Sequence, residues 1–285
     1  TLAQPTGGHV TALAVHPQES NLRLVATTTG LFRTSDKGAT WERAEVPALW
    51  NSPAQQILFD ATLPSNAYAL GAFGLGISAD AGLTWNVAAP PTSETTYLSL
   101  VQSSDGSTLY IVAADGLLRS TDHGDTWHPL PISPEMTRLT AVVPHPTRSG
   151  TLIAAAASGV FSTADRGETW QPIGGGPQEP VDWLVLAGDA AGKVRAHCSE
   201  GTYELSQDAL TWTSLETTTP LGPLDTWAGL TTLHNAGAAL ATVPEAAAMP
   251  EGLERVACAG APVVCLGAGP EGLLESSDSG QSWAA

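Results

Sequence analysis

One eight-residue pattern recurs six times along this chain and constrains its fold more than any other feature. It reads TSDKGATW from Thr34, and the later copies are SADAGLTW, STDHGDTW, TADRGETW, a shortened SQDALTW and SSDSGQSW, beginning at Ser78, Ser120, Thr163, Ser206 and Ser276. The first five copies begin 42 to 44 residues apart. A fixed period of that length indicates stacked, similar units that share one continuous core. We therefore expect residues 1–285 to form a single domain.

Each copy follows the same order of short apolar segments, which the first repeat illustrates. Strands are predicted at residues 11–16, 22–27 and 30–34, and a fourth begins at Trp41. The glycine that starts the third strand recurs as Gly74, Gly116, Gly159, Gly201 and Gly272. Four short strands per repeat predict an all-β protein, a single β-propeller of four-stranded antiparallel blades.

The residue types within the pattern are those of a tight turn between two strands. An Asp side chain accepts hydrogen bonds from the backbone of its own turn, and a Gly two residues later adopts a positive φ at little cost. The Trp then starts the last strand and fills space between neighbouring units. The six pairs are Asp36 and Trp41, Asp80 and Trp85, Asp122 and Trp127, Asp165 and Trp170, Asp208 and Trp212, and Asp278 and Trp283.

This pattern closely resembles the Asp-box (BNR) repeat, which reads Ser/Thr, any, Asp, any, Gly, any, Thr/Ser, Trp. Five copies match it at every position, and the copy at Ser206 lacks the Gly. The resemblance implies that each motif is a turn between the third and fourth strands of a blade, with a structural rather than a catalytic role. For the shortened copy we expect a tightened turn on a blade that still forms.

The number of blades depends on the last part of the sequence. The interval from Trp212 to Trp283 is 71 residues, far longer than the repeat. Either one blade of six carries a long insertion, or a seventh blade without the motif occupies residues 215–252, with candidate strands in TWAGLTTLH and GAALATV. We favour seven blades, with six as the alternative.

Composition excludes several classes of function. Eleven Lys and Arg against 28 Asp and Glu give a formal charge of −17, which repels nucleic acids and anionic lipid surfaces. No apolar run is long enough to cross a bilayer, so we expect no transmembrane segment. The seven His show no metal-ligand spacing, and there is no phosphate-binding Gly loop. We therefore expect neither a cofactor nor a metal.

The three cysteines leave the compartment open. The segment VACAGAPVVCLG reads as a hairpin that places Cys258 opposite Cys265, where they form either a disulfide or two small buried apolar side chains. The first residues, TLAQPTGG, lack a signal-peptide pattern, but a cleaved signal would leave no trace. An extracytoplasmic or secreted location is our expectation.

The long connections between repeats carry the residues that differ from copy to copy. If the motifs lie at one rim of a propeller, these connections lie at the other, where loops on a rigid scaffold tend to bind ligands. Aromatic and acidic side chains there form a candidate surface for a ligand or partner; the alternative is that the aromatic rings only cap the core. The candidates are Trp50, Tyr97, Glu179, Asp182, Trp183 and Trp227.

Enzymes that contain the same repeat have residue requirements that this sequence meets only in part. Sialidases use three Arg and a Tyr nucleophile with a Glu partner, but Arg33 and Arg119 stand on third strands and only Tyr97 is near the expected channel mouth. A two-carboxylate glycosidase needs an Asp/Glu pair at a defined separation. The available carboxylates are Glu94, Glu135, Glu179, Asp182 and Asp225.

These observations favour a non-catalytic scaffold or binding protein. It would engage a protein partner or a glycan through the loop face opposite the motifs, and a role within a larger assembly fits this interpretation. It resembles Asp-box assembly proteins such as the photosystem II assembly factor, although the basic Arg patch of that family has no counterpart here. The alternative is a secreted Asp-box glycoside hydrolase; the xyloglucanase kind pairs two propellers around a cleft, and this sequence predicts one.

Overall fold

The structure is a computed structural model. It describes residues 5, 8–48, 50–88, 96–145, 147–177, 181, 183–186, 194–206, 210–215, 233–235, 253, 255–259, 264–269, 272–278 and 282–284. Every regular element among these residues is a β-strand, and the strands form six four-stranded sheets, numbered here in sequence order.

Sheets 1 to 3 each follow the sequence order of their strands. Sheet 1 contains β1 (Val10–Val15), β2 (Arg23–Thr27), β3 (Gly30–Thr34) and β4 (Glu42–Arg43). Sheet 2 contains β5 (Ala54–Phe59), β6 (Ala67–Gly71), β7 (Gly74–Ser78) and β8 (Asn86–Ala88). Sheet 3 contains β9 (Tyr97–Gln102), β10 (Leu109–Ala113), β11 (Gly116–Ser120) and β12 (His128–Leu130). All pairings within them are antiparallel.

Sheets 4 and 5 repeat this arrangement, and sheet 6 varies it. Sheet 4 contains β13 (Leu139–Pro144), β14 (Leu152–Ala156), β15 (Gly159–Thr163) and β16 (Gln171–Pro172). Sheet 5 contains β17 (Trp183–Leu186), β18 (Val194–Cys198), β19 (Gly201–Leu205) and β20 (Trp212–Leu215). Sheet 6 contains β21 (Leu233–Asn235), β22 (Arg255–Ala259), β23 (Val264–Gly269) and β24 (Gly272–Ser276), and β21 pairs in parallel with β22.

The core lies between the sheets. Every residue of β2, β6, β10 and β14 is buried, because the second strand of each of these four sheets is covered on both faces. Such strands read as continuous apolar runs rather than as alternating patterns. One apolar cluster joins residues of sheets 6, 1 and 2, including Leu266, Leu13 and Ile57.

Sheets 1 and 2, 3 and 4, and 4 and 5 contact each other through their first strands, and sheet 6 contacts sheet 1 through its second strand, β22. β1 packs beside β5 on one side and β22 on the other, β9 packs beside β13, and β13 beside β17. Two arginines also join sheet 6 to sheet 1: Arg255 Nε donates to Val10 O over 3.0 Å, and Arg23 Nη2 lies 2.9 Å from Glu275 Oε2. The first and last described sheets are therefore neighbours.

The predicted all-β fold and the strand boundaries are confirmed. In sheet 1 the observed strands differ from the predicted ones by about one residue. Five of the six glycines predicted to start a third strand do so; Gly272 instead starts β24, the fourth strand of sheet 6, because β21 adds a strand before β22. The shortened motif is followed by a formed strand, β20, which completes sheet 5. Its Asp208 lies outside the described residues.

The last part of the protein is described incompletely. Cys258 and Cys265 face each other on β22 and β23 and form a disulfide, so the structure selects that alternative. Between residues 216 and 252 only β21 is described, and it joins sheet 6 rather than forming a sheet of its own. The remaining residues proposed for a seventh blade lie outside the described ranges, and the seven-blade count stays a prediction.

Candidate functional site

The strand order places two kinds of turn at opposite rims. In sheets 1 to 5 the first strand begins beside the short turn between the second and third strands, as the pairing of Val10 with Thr27 and of Leu139 with Ala156 shows. We call this edge the hairpin rim. In sheets 1 to 5 the motif turns lie between the third and fourth strands at the other edge, which we call the motif rim. In sheet 6 the motif instead follows the fourth strand, β24, and leads to an isolated bridge between Glu275 and Ala284. A difference in side-chain chemistry between the two rims would indicate which rim carries a functional site.

At the motif rim each described Asp side chain is bonded within its own turn. In the first copy Asp36 Oδ1 accepts from Thr34 Oγ1 (2.7 Å) and from the backbone N–H of Thr40 (2.8 Å), and Asp36 Oδ2 accepts from Thr40 Oγ1 (2.6 Å). The same three bonds recur at Asp80, Asp122, Asp165 and Asp278. The carboxylates thus serve the turn itself.

Two consecutive left-handed residues shape each complete turn that is described. The predicted glycines have positive φ, with Gly38 at 94° and Gly124 at 91°. The residue before each glycine also has a positive φ, which the sequence did not indicate; these residues are Lys37, Ala81, His123 and Arg166. A side chain adopts that conformation only at a cost. The bonded Asp on one side and the Trp on the other hold it there.

The motif Trp side chains pack inward. The indole Nε1 of Trp85, Trp127 and Trp170 each donates to the carbonyl of the glycine in its own turn, over 3.0 to 3.1 Å. Trp41, Trp85, Trp127 and Trp212 are buried, and Trp170 and Trp283 are half-buried. Their aromatic faces are therefore largely covered by the fold.

Hydrogen bonding sets the ionisation of the motif carboxylates. Bonds from Thr40 lower the pKa of Asp36 to about 2, and bonds from Thr163 and Thr169 lower that of Asp165 to about 2. At Asp122 slight burial acts in the opposite direction, but bonds from Thr126 and Ser120 prevail and hold its pKa at about 2. A group with so low a pKa is a poor general acid or base near neutral pH. This rim is therefore suited to structure rather than to proton transfer.

A buried cluster joins sheets 2 and 3 near the motif rim. Asp60, which is completely buried, accepts from Tyr68 Oη (2.8 Å), from the backbone N–H of Thr62 (2.8 Å) and of Leu63 (2.9 Å), and lies 2.8 Å from His123 Nδ1. Burial alone would raise the pKa of Asp60, but these hydrogen bonds lower it. Burial and the Asp60 charge raise the pKa of Tyr68. The cluster, which we call the Asp60 cluster, therefore links sheet 2 to sheet 3 by hydrogen bonds.

At the hairpin rim the first strands of sheets 1 to 4, which we call the inner strands, share an irregularity that the sequence did not predict. In each of β1, β5, β9 and β13 one extra residue interrupts the pairing with the second strand. The extra residues are Thr11, Gln55, Leu98 and Thr140, and the last three are exposed. Bulges re-aim side chains and are frequent next to functional sites. Re-aimed residues thus lie at this end of the first strand in four neighbouring sheets.

Two of the sequence-predicted binding residues have described side chains. Trp50 is half-buried; its ring stacks on Phe73 with centroids 4.1 Å apart and lies 5.5 Å from Trp85. Its Nε1 and the hydroxyl of Ser52 are buried, and neither has a hydrogen-bond partner among the described residues. Tyr97 begins β9 directly before the bulge residue Leu98 and is half-buried. The packing of Trp50 fits the alternative in which the aromatic side chains only cap the core. Tyr97 lies beside the exposed bulge residue Leu98.

The other predicted binding residues lie wholly or partly outside the described residues. The backbone of Trp183 starts β17, paired with His197, but its side chain is outside the description. Glu179, Asp182 and Trp227 lie outside the described residues. Their role in binding stays a prediction.

The connection from sheet 3 to sheet 4 is tied to a turn at the hairpin rim. Ser158 Oγ donates to Glu135 O and accepts from the backbone N–H of Thr137 (3.2 Å). The backbone N–H of Ala157 donates to Thr137 O over 2.9 Å. Arg138, the next residue, is exposed and has a φ of 51°. The segment is thereby fixed at the rim by several bonds.

Neither a metal site nor a membrane-spanning helix is found within the described ranges. These residues contain no group of three or more His, Cys, Asp or Glu that could hold a metal ion. Nor do they contain a helix of the length and apolarity needed to cross a bilayer.

The four-stranded sheets, packed side by side through their inner strands, define a β-propeller protein. A profile for the DUF6242 beta propeller domain matches residues 67–285, well over half of the sequence. The chain therefore belongs to the DUF6242 beta propeller domain family. No curated protein matches its sequence significantly.

Solved structures with similar folds include enzymes and a peptide-bound protein. An ancestral GH74 enzyme superposes with a TM-score of 0.61 at 15% identity, covering 96% of this chain but 37% of the enzyme. The GH74 enzyme of Niastella koreensis gives 0.54 at 18% identity, with 96% and 50% coverage. YCF48 bound to D1 peptide gives 0.55 at 15% identity, with 99% and 83% coverage. The chain thus spans half or less of these GH74 enzymes, and the likenesses establish the fold alone.

Proposed function

We propose that this propeller is a non-catalytic binding module that engages a protein partner through its hairpin rim. The observation that carries the proposal is the bulge repeated in four inner strands. It exposes Gln55, Leu98 and Thr140 at one end of those strands, and Leu98 keeps 48% of its surface exposed. Regular pairing would suffice to build the sheets, so a repeated irregularity at one rim favours a use there.

One of the similar structures contains a bound peptide, and this supports a polypeptide ligand. YCF48, solved with a peptide, is matched over most of its own length, whereas the GH74 enzymes are matched over half or less. The 285 residues thus correspond to most of the peptide-bound protein. We propose a similar mode here, with a polypeptide as the ligand.

The packing of Trp50 favours a protein over a glycan. A sugar ring binds by stacking on an open aromatic face, but Phe73 stacks on Trp50 at an interplanar angle of 24°. The exposed bulge residues, such as Leu98 and Gln55, instead offer apolar and amide groups, which suit a polypeptide. In the sequence order of the repeat, Asp182 stands between Val181 and Trp183 where Leu98 stands between Tyr97 and Ser99. It therefore stays a candidate for the same surface.

We propose further that the motif turns are Asp boxes with a structural role. The support is the set of bonds by which each described motif Asp is engaged within its own turn. The proposal assigns binding to one rim and structure to the other.

An extracytoplasmic location is also proposed. The support is the Cys258–Cys265 disulfide, because disulfides persist mainly in oxidising compartments. Mass spectrometry of protein isolated from its source, alkylated without reduction, should find both cysteines unmodified by the alkylating agent. Alkylation of both would overturn this location.

The main test is site-specific cross-linking in cells of the source organism. A photoreactive phenylalanine analogue replaces Gln55 or Leu98 at the hairpin rim. As matched controls it replaces Leu83, which lies in a motif turn and is 39% exposed, or Leu63, which is 42% exposed. We expect the same protein to be cross-linked from both hairpin-rim positions and from neither control. Equal cross-linking from all four positions, or none from the hairpin rim, would overturn the proposal.

A glycoside hydrolase is the second candidate, because the ancestral GH74 enzyme gives a TM-score of 0.61. Of the five carboxylates considered for it, only Glu135 has a described position, on the segment tied to Ser158. The test is hydrolysis of xyloglucan and of a panel of aryl β-glycosides by the purified protein. Activity that is lost in Glu135→Gln or Asp182→Asn would replace the binding proposal; absence of activity supports it.

A further inference from the structure

The arginines of this acidic protein are nearly all committed to the fold. Six of nine guanidinium groups donate a hydrogen bond or form an ion pair, and they belong to Arg23, Arg33, Arg43, Arg119, Arg195 and Arg255. Arg148 also has an interaction partner. The guanidinium groups of Arg138 and Arg166 have no acceptor or carboxylate within the described residues. Both side chains are exposed.

Arg138 differs from Arg166 in where it lies. Arg166 occupies the left-handed position of a motif turn, where every complete described copy of the motif has a positive φ. Arg138 lies at the hairpin rim, immediately before β13. With a φ of 51°, it is the one non-glycine residue outside the motif turns that has a positive φ in the described parts of the sequence. Strain of this kind persists where the surroundings enforce it, and it is concentrated at binding sites.

The surroundings of Arg138 enforce its conformation from both sides. On the N-terminal side Ser158 holds Glu135 and Thr137, and the side chain of Met136 is buried. On the C-terminal side Leu139 starts β13, and its pairing with Ala156 precedes the bulge at Thr140. The backbone that carries the guanidinium is therefore fixed before any partner arrives, which reduces the entropy lost on binding.

The neighbouring sheet supplies an apolar contact. Leu98 is the bulge residue of β9, and Arg138 directly precedes β13, which packs beside β9, so both residues lie at the same rim on neighbouring sheets. The guanidinium binds carboxylates through two parallel hydrogen bonds, and the leucine offers exposed aliphatic surface. The protein as a whole, at −17, repels a highly acidic partner. The local chemistry therefore fits a single acidic group beside an apolar side chain.

We infer that Arg138 recognises one carboxylate of a polypeptide partner, on an Asp, a Glu or the partner's free C-terminus, with an apolar partner residue beside Leu98. This inference rests on the proposed function and adds the chemistry of the segment that is bound. It gives the strained position at Arg138 a role in binding.

The probe is a displayed library of random peptides, with both free and blocked C-termini, selected on the intact protein. Enriched peptides are then titrated against wild type and four variants. Arg138→Gln removes the guanidinium and Arg166→Gln is the matched control, since both remove one exposed charge from a left-handed residue. Arg138→Glu reverses the charge. Arg138→Gly removes the side chain and relieves the strain, so loss of binding there is not a loss of folding.

The expected result is a consensus with one acidic group near an apolar residue. Binding should weaken by about tenfold or more in Arg138→Gln and Arg138→Gly, and by less than about twofold in Arg166→Gln. Selection on Arg138→Glu should yield basic peptides instead. Peptides that bind all variants equally, or that carry no acidic group, would overturn the inference and leave the proposed function standing. If no peptide is enriched and no cross-link forms at the hairpin rim, both fail.

Discussion

Replacing Glu275 by Gln should lower the free energy of unfolding by about 2 kcal/mol, because it removes the counter-charge of a buried arginine. Arg23 is 2% exposed and its Nη2 lies 2.9 Å from Glu275 Oε2, across the contact between sheets 1 and 6. Removing one partner of a buried pair costs about 3–5 kcal/mol. Glu275 is 32% exposed, so water reaches the site and roughly half of that cost remains. For a protein of this size the melting temperature should fall by about 4 °C.

The repeat itself supplies the matched controls. Positions equivalent to Arg23 in sheets 2 to 5 are apolar and buried, and they are Ala67, Leu109, Leu152 and Val194. The position equivalent to Glu275 is Ile77 in sheet 2. The double variant Arg23→Leu with Glu275→Ile should therefore be about as stable as wild type, since apolar replacement of a buried pair is often neutral. Glu42→Gln breaks the more exposed pair with Arg33 and should cost less than about 1 kcal/mol.

Urea unfolding of wild type, Glu275→Gln, Glu42→Gln and the double variant tests this prediction. If Glu275→Gln were no less stable than Glu42→Gln, or if the double variant were less stable than both single ones, the ion pair would not hold sheets 1 and 6 together. The reasoning about the junction would then be refuted.

Two further perturbations test the motif rim and the Asp60 cluster beside it. Asp60→Asn should lower the free energy of unfolding by about 2–3 kcal/mol, because Asp60 is fully buried and bonded to Tyr68 and to His123. Urea unfolding that matches wild type would contradict a stabilising role for the Asp60 cluster. Acid should also destabilise the fold. Asp36, Asp122 and Asp165 have folded-state pKa values of about 2, below the unfolded value of about 3.9, so their contribution is complete above about pH 4 and is lost as the pH falls through about 2. Urea titrations across that range should show stability falling; constant stability down to about pH 2 would contradict it.

The local turn chemistry was predictable because it is contained within eight consecutive residues. The spacing of Thr34, Asp36 and Gly38 is sufficient to specify both the hydrogen bonds and the positive φ of the glycine. The left-handed residue before the glycine was missed, since four different residue types occupy it. A pattern read from identities alone does not detect a shared backbone conformation.

The features of the hairpin rim were not predictable from the sequence. The four bulge residues, Thr11, Gln55, Leu98 and Thr140, show no shared chemical pattern, because a bulge depends on how two strands pair. Trp50 was predicted as a binding candidate, but its burial depends on Phe73, which is 23 positions away in the sequence.

Contacts between sheets were missed for the same reason. Asp60 and His123 are 63 positions apart, and Arg23 and Glu275 are separated by most of the sequence. One signal was available: His16, Asp60, Ser103 and His145 all follow inner strands and accept backbone N–H groups of the next turn. Comparing that position across the repeats would have pointed to Asp60 as part of the scaffold.

The central claim is that the two rims have different tasks. Hydrogen–deuterium exchange of the protein, alone and bound to the cross-linked partner or to an enriched peptide, tests it most directly. The account predicts added protection of backbone amides in residues 97–99 and 137–141, with exchange in the motif turns 34–41 and 120–127 unchanged. Protection confined to the motif turns would contradict the account.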